Sequence, residues 1–404
     1  MHGGGGSRRG LAGHHGPPRG HEDTRMRVVL IRQRYRPDGG AERFVARAAQ
    51  ALSARGVEIT LVTRDWPQGT SDMRIERCNP RYLGSIWRDL GFALCACRKL
   101  RTFKADLVQS HERMACADIF RAGDGLHRSW LAQRRRTTDL WGRIRLRLNP
   151  YHVYALAAEA KALTHPRLRA VICGSRMVRD EIAAAFPQTR GKLVVLYNGV
   201  DIRHFHPDVK AEHDAVRQRH GIPFGNTVFV FVGSGFYRKG LAEAMKAIAL
   251  LPASAGLLVV GQDRHEARYR RLGQTLGIGD RLWFAGRQSD PRPFYGAADA
   301  FILPALYDPS PNVVLEAMAC GLPVVTSRSA GNFELLVEGE TGFVRDALDT
   351  DGLAEACASL LDRARCAAMG QAARTAIEPY DLQLMGERFV AFYEDLLRAK
   401  SDHD

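Results

Sequence analysis

Asp308 and Glu316 stand eight residues apart in Asp308-Pro-Ser-Pro-Asn-Val-Val-Leu-Glu316, and a Gly321-Leu-Pro323 break then leads into an apolar run from Val324. A helix opening near Pro311 or Asn312 presents free backbone N–H groups at its start, a ready anion site. Asp308 then precedes the helix and can address a sugar held over it, while Glu316, inside its second turn, can address a ribose further along. Gly233-Ser-Gly-Phe-Tyr-Arg238-Lys239-Gly240 brings two adjacent cations after an apolar strand. Arg238 fills the sixth position, where a dinucleotide fingerprint needs glycine. Leu241 follows Gly240 where a P-loop needs lysine. Nicotinamide and ATP chemistry are disfavoured on both counts. Two cations at a strand end suit instead a diphosphate leaving group, whose charge grows as a sugar bond breaks. The alternative is a solvated pair at a helix start, where the dipole disfavours cations.

Three further groups follow strands. Gly39-Gly40 closes the first strand and lets a sugar phosphate approach the backbone. Ser110-His111-Glu112-Arg113 follows a strand of the first half, and Asp118 comes seven residues after His111. Asp118 could accept the proton of an attacking hydroxyl, or His111 could orient the sugar; a helix-start aspartate and a surface histidine are the structural alternatives. Arg287, after Leu282-Trp-Phe284, could stack beside a base or lie on the surface.

These groups need elements to position them. Apolar strands are expected at 27–31, 58–62, 106–109 and 170–173, with helices at 41–55 and 151–163. A second alternation runs through strands at 228–232, 257–260, 282–284, 300–303 and 324–326. Its helices are expected at 240–250, 264–276, 291–298, 312–319 and 351–376, and a last one follows Pro379 from 382 to 399. Apolar strands separated by helices mean parallel sheets covered on both faces. The expected fold is α/β, with two doubly wound Rossmann-like domains facing a cleft. Residues 1–25 read as a disordered leader, 26–197 as a first domain, 198–378 as a second, and 379–404 as a helix returning to the first domain. Ligands in such sheets lie beyond the carboxyl ends of the strands.

A chain of 404 residues, 45% hydrophobic and 25% charged, is long enough for two cores. No apolar run approaches a membrane span, and the glycine- and arginine-rich start has no secretory apolar core. The eight cysteines are scattered, and Cys95-x-Cys97 lacks a second ligand pair, so reduced thiols in cytoplasm are expected. The net charge of +14 favours anionic partners. Eight arginines against two aspartates crowd residues 121–150, interleaved with Trp130, Trp141 and several leucines. That pattern, centred on Trp130, Arg134, Arg135, Arg136 and Trp141, suits a helix on an anionic membrane surface; the alternative is a basic face whose apolar residues pack inward. No nucleic-acid module accompanies the charge.

Together these segments resemble the fourth sequence family of retaining, two-domain (GT-B) glycosyltransferases over most of residues 26–399. The resemblance rests on residues 235–240, the Phe-Ala-Gly-Arg stretch 284–287, and Tyr307-Asp-Pro through Val325. It implies that Gly39 and Gly40 approach the donor sugar and phosphate, Arg238 and Lys239 bind the diphosphate, and Asp308 binds sugar hydroxyls. It also gives Glu316 the ribose, the Asn312, Val313 and Val314 amides the phosphate or sugar, and Asp118 the acceptor side. Asp308 stands where the family commonly has glutamate. The 121–150 insertion and Ala117-Asp-Ile-Phe120 look like the lipopolysaccharide-core glucosyltransferases of that family. The implied activity is transfer of a hexose, with glucose foremost, from a UDP-sugar to a heptose of a phosphorylated glycolipid, with retention. No cofactor and no metal are expected: there is no Asp-x-Asp motif, and two cations already serve the diphosphate. The same chemistry with another donor and glycolipid, or a non-catalytic nucleotide-sugar-binding protein, are the alternatives.

Overall fold

The run Thr227-Val-Phe-Val-Phe-Val232 is buried along almost its whole length, as is Val28 to Ile31. Strands rich in β-branched and aromatic residues and covered on both faces pair in parallel, with helices making the crossovers. The computed structural model describes residues 25–34, 48–66 and 73–401. In the first domain seven strands are β1 (Arg27–Ile31), β2 (Glu58–Thr63), β3 (Arg74–Arg77), β4 (Leu107–Ser110), β5 (Ile119–Arg121), β6 (Ala170–Cys173) and β7 (Leu193–Val195). They form one parallel sheet in the order β3-β2-β1-β4-β5-β6-β7. The second domain has β8 (Thr227–Val232), β9 (Ala255–Val260), β10 (Leu282–Gly286), β11 (Ala300–Leu303), β12 (Val324–Ser327) and β13 (Gly342–Arg345), ordered β10-β9-β8-β11-β12-β13. Val29 sits between Thr60 and Val108, and Val230 between Leu258 and Phe301. Both sheets reverse direction of growth beside their first strand, so each has a crevice at that point. The expected pair of doubly wound domains is what the chain forms.

The helices that bear on the site are α1 (Gly84–Lys99), α2 (His127–Arg136), α3 (Leu140–Leu148), α4 (Pro150–Thr164), α5 (Arg176–Ala185), α6 (Phe236–Lys239), α7 (Asn312–Ala319) and α8 (Leu382–Ser401). Helix α8 lays Met385, Phe389 and Tyr393 against Val28, Leu30 and Leu61 of the first sheet. The chain therefore crosses between domains twice. At the crossing Val200 N–H donates to Tyr380 O at 2.9 Å and Leu382 N–H to Val200 O at 3.0 Å. A Cβ at Gly199 would lie 2.8 Å from the Leu382 Cα, so the two segments approach this closely only with glycine.

Several expectations need amendment. Strands β3, β5, β7 and β13, three or four residues each, were not anticipated, nor was α1. The expected helix 351–376 is two, Thr350–Ala358 and Arg363–Ile377, with Asp362 capping the second. Of the helix expected over 41–55, residues 48–53 are described and helical. No helix among the described residues is long and apolar enough to cross a membrane.

The expectation of reduced thiols fails at four positions. Cys78 is joined to Cys95 and Cys97 to Cys116, while Cys173, Cys320, Cys357 and Cys366 are buried thiols. Residues two apart on a helix face about 200° away from each other. Cys95 and Cys97 thus reach different partners and pin the last turns of α1 on both sides. Denatured, unreduced protein should show four reactive thiols, rising to eight on reduction. Bridges spanning 17 and 19 residues should each be worth about 3 kcal/mol, read as a lower melting temperature after reduction. Eight thiols before reduction would mean the bridges do not form in solution.

Candidate active site

The carboxyl end of β8 opens into Gly233-Ser-Gly235, and α6 follows at once. Gly233 has φ 140°, and a Cβ there would meet the Lys239 side chain at 2.5 Å. Glycine therefore lets the lysine stem lie over the loop. Lys239 Nζ donates to Asp308 Oδ2 at 2.9 Å, and Arg238 Nη1 lies 3.2 Å from the same oxygen. Arg238 also donates to Tyr307 O at 2.9 Å, and its own carbonyl accepts from Leu306 N–H. The loop after β11 is so tied to α6 that Asp308 and both cations converge beyond adjacent strands. Asp308 is 7% and Lys239 8% exposed. Burial alone would raise the Asp308 carboxyl, but Arg238 and Lys239 outweigh it and hold it below the usual carboxylate range. Burial and Arg238 draw Lys239 below the ordinary lysine range, against the pull of Asp308.

Helix α7 begins at Asn312, as the spacing predicts. Glu316 is fully buried in it and accepts from the Tyr295 hydroxyl at 3.1 Å. Asn312 Oδ1 accepts from Asn198 Nδ2 of the first domain at 2.6 Å. Val314 N–H already donates to Pro311 O at 3.1 Å, so one of the three amides expected to face a ligand is used within the turn. Val313 is buried beside it. Arg287 is exposed just beyond β10, at the same edge of the sheet.

The segment Tyr307–Ser310 is gripped by the first domain, which the sequence did not suggest. The Tyr307 hydroxyl accepts from Leu126 N–H at 3.0 Å and donates to Glu181 of α5 at 2.7 Å. Burial, then Glu181, push the phenol well above its ordinary pKa, so it stays a donor. Gly125, at φ 64°, roofs this socket: a Cβ there would stand 2.3 Å from the hydroxyl. Ser175 donates to Pro309 O at 2.8 Å. Asp308 thus sits between two neighbours that the opposite domain holds.

On the first-domain side the expectations are only partly met. Gly39 and Gly40 lie outside the described residues. His111 follows β4 at the correct end, but its ring is buried and Nε2 meets the Gln109 side-chain amide at 3.2 Å. Burial, then Arg121 and Arg32, keep it neutral and well below the ordinary histidine pKa. Asp118 is at the wrong end. It precedes β5, where Oδ2 accepts from Val108 N–H at 2.9 Å and Oδ1 from Arg167 at 3.0 Å. Its carbonyl accepts from Arg169 and Ala170 N–H. Asp118 fastens the amino ends of three strands and does not face the cleft. The acids that follow the carboxyl ends are Glu112 and Asp124. Arg32 lies 3.7 Å from Glu112 and 3.4 Å from Asp124. Desolvation raises Glu112 above its usual range against the opposing pull of Arg32. Desolvation at Asp124 is outweighed by Arg32, Arg113 and, from the second domain, Arg238, which hold it low. Their signal was position: each falls just after the carboxyl end of a central strand, β4 or β5, once β5 is known to end at Arg121.

The basic segment is two helices with different surroundings, not one surface helix. In α2, Trp130 packs edge-on against Tyr237 at 6.1 Å, Arg136 pairs with Asp346 at 2.8 Å, and Arg134 lies near the Trp130 and Tyr237 rings. Thr137 Oγ1 and the Tyr237 hydroxyl are 2.6 Å apart. Trp130, Arg134 and Arg136 therefore face the second domain, and Arg135 stays exposed. Helix α3 is the outward part, with Leu140 69%, Trp141 72% and Leu148 72% exposed among Arg143, Arg145 and Arg147.

Two family models meet this chain almost end to end: Glycosyltransferase Family 4 over residues 38–204 and Glycosyl transferases group 1 over residues 212–376. With the paired parallel sheets and the site between them, they make the chain a glycosyltransferase of the GT-B class, in family 4. Within that class it is related to enzymes of lipopolysaccharide core synthesis. It is 32% identical over 176 residues to the lipopolysaccharide core biosynthesis glycosyltransferase LpsE of Rhizobium meliloti, a match covering 41% of this chain and 52% of that protein, about half its length. It is 24% identical over 326 residues to the lipopolysaccharide glucosyltransferase WaaG of Escherichia coli, covering 79% and 85%. The WaaG crystal structure superposes with a TM-score of 0.78 at 22% identity, over 91% of this chain and 99% of that one. Anabaena HepE in complex with UDP and glucose gives 0.71 at 20% identity, over 91% and 99%.

Lys239→Ala should lower kcat by about 10²–10³ with little change in donor KM, since it removes charge stabilisation that grows in the transition state. Asp118→Ala should instead cost about 1–3 kcal/mol of stability and leave kcat/KM of the folded enzyme near wild type. Comparable kinetic losses in both would return Asp118 to the reaction.

Proposed function

We propose that the protein transfers a hexose, with glucose the favoured candidate, from a UDP-sugar to a heptose of the lipopolysaccharide core, with retention and without a metal. The observation that carries this reading is the meeting of Arg238, Lys239 and Asp308 beyond β8 and β11, across the cleft from Glu112 and Asp124. In this mechanism Asp308 accepts from donor-sugar hydroxyls and Glu316 from the ribose. The bond from sugar C1 to the β-phosphate oxygen breaks while the acceptor oxygen bonds C1 from the same face. The departing phosphate oxygen takes the acceptor proton, and Arg238 and Lys239 stabilise the charge left on the diphosphate. No protein nucleophile is invoked. Glu112 and Asp124 orient the acceptor hydroxyls, on the side where Asp118 was first read as taking the acceptor proton and His111 as orienting the sugar. The UDP named in the HepE structure supports the choice of nucleotide, and the names of LpsE and WaaG support the acceptor class.

Asp308 in place of the commoner glutamate shortens the sugar contact by one methylene, which favours, as a second reading, the same chemistry on a different sugar or glycolipid. The test is UDP release from a panel of UDP-sugars, with and without lipopolysaccharide that ends at its inner core. Acceptor-dependent release from UDP-glucose is expected. Release from another UDP-sugar alone would support the second reading, and release from none would overturn the assignment of donor and acceptor.

We further place the enzyme at the cytoplasmic face of the inner membrane, held by α3 rather than by the whole basic segment. A helix with exposed Leu and Trp among arginines binds anionic lipid through apolar burial and charge together. Leu140→Ser with Trp141→Ser should weaken binding to phosphatidylglycerol vesicles by about tenfold or more while sparing turnover of a soluble acceptor. Unchanged vesicle binding would overturn this role for α3.

A further inference from the structure

Among the described residues Arg134 makes no ion pair, and its Nε has no hydrogen-bond partner. It sits in α2, whose first residue, His127, donates its N–H to the buried Glu159 at 2.5 Å, which roots the helix in the first domain. The Arg134 guanidinium carbon is 5.8 Å from the Trp130 ring centre and 6.0 Å from that of Tyr237 in the second domain. Two π-faces attract a guanidinium but accept none of its N–H groups as an oxygen would. Its Nε is buried and has no hydrogen-bond partner. Arg136, half a turn on, takes the Asp346 carboxylate, and among the described residues no acid pairs with Arg134. The rings of His127 and His152 meet at 3.0 Å and offer no negative charge. Burial, then Arg113, His152 and Arg134, bring His127 down to about 4, so it is neutral at physiological pH. An unsatisfied, poorly hydrated guanidinium N–H is costly unless an anion arrives to meet it.

The place of this charge says which anion. Tyr237 belongs to the single turn α6 that also bears Arg238 and Lys239. Thr137 Oγ1 at 2.6 Å from the Tyr237 hydroxyl and Arg136 on Asp346 hold the end of α2 against the second domain. We propose that Arg134 is a third cation of the diphosphate site, contributed by the first domain, and that its guanidinium meets a phosphate oxygen of the bound nucleotide-sugar. The inference rests on the nucleotide-sugar reading above. A planar fork suits phosphate better than a point charge. The site is then complete only when the domains are closed, because two of its cations come from one domain and the third from the other.

Calorimetric titration of the full chain tests this, with UDP and with uridine as ligands. In Arg134→Gln, UDP affinity should fall about tenfold and uridine affinity should not change, since uridine has no phosphate. Arg134→Lys, which keeps the charge and loses the fork, should fall between Gln and wild type; it also serves if the glutamine variant does not fold. UDP affinity of both variants within twofold of wild type overturns the role of Arg134 and leaves the transferase reading standing. A parallel loss for uridine overturns it too, by assigning Arg134 to packing. Failure of the wild-type protein to bind UDP overturns the nucleotide reading and the inference with it.

Discussion

A carboxylate buried at a domain boundary has to be held by cations, and the placement of Asp308 between Lys239 and Arg238 is the constraint around which the cleft is built. Removing such a group from water costs several kcal/mol unless charge and hydrogen bonds replace the solvent. Both cations come from the turn after β8, so the loops after β8 and β11 act as one body. The neighbours of Asp308 answer to the other domain through Tyr307 in its socket and Pro309 on Ser175. A glycine on each side makes the fit possible: Gly233 under the lysine stem and Gly125 over the phenol. The acid is thus held by cations of its own domain, while the first domain fixes the residues on either side of it.

Much of this was legible in the sequence, for a reason that also marks its limit. Long apolar strands such as β8 and β9, and a helix beginning after Pro311, follow from pattern and turn chemistry. The motif residues that follow them fall at the carboxyl ends where ligands bind. Short strands that carry charge, Arg74-Ile-Glu-Arg77 and Ile119-Phe-Arg121, leave no such pattern, and β5 is the instructive case. With its span unknown, Asp118 seemed to follow a strand; it precedes one, and Asp124 is the acid at the useful end. His111 failed differently. Its position was right, but side-chain direction is set by packing against Gln109, which spacing does not encode.

The basic segment shows a second kind of ambiguity. Arginine with Trp and Leu at helical spacing describes a helix on a lipid surface and a helix against another domain equally well. The structure uses both surroundings in succession, with a break at residues 137–139 that turns α2 inward and leaves α3 outward. The cysteines were illegible for a comparable reason: spacing cannot pair four sulfurs, and a Cys-x-Cys on a helix looks like a failed metal site until its two faces meet different partners. Two bridges beside α1 stand apart from the reduced thiols usual in cytoplasm.

The double crossing at Val200 and Asp381 has a mechanical consequence. A single tether lets two bodies swivel freely, whereas two strands bonded side by side resist twisting and yield to bending about the line that joins them. Opening and closing of this molecule should then follow one angular coordinate. Because α8 is cemented into the first sheet by Met385, Phe389 and Tyr393, its twenty residues, Leu382–Ser401, act as the second leaf of a strap hinge. A chain cut short before them would keep both sheets and lose the track along which they move.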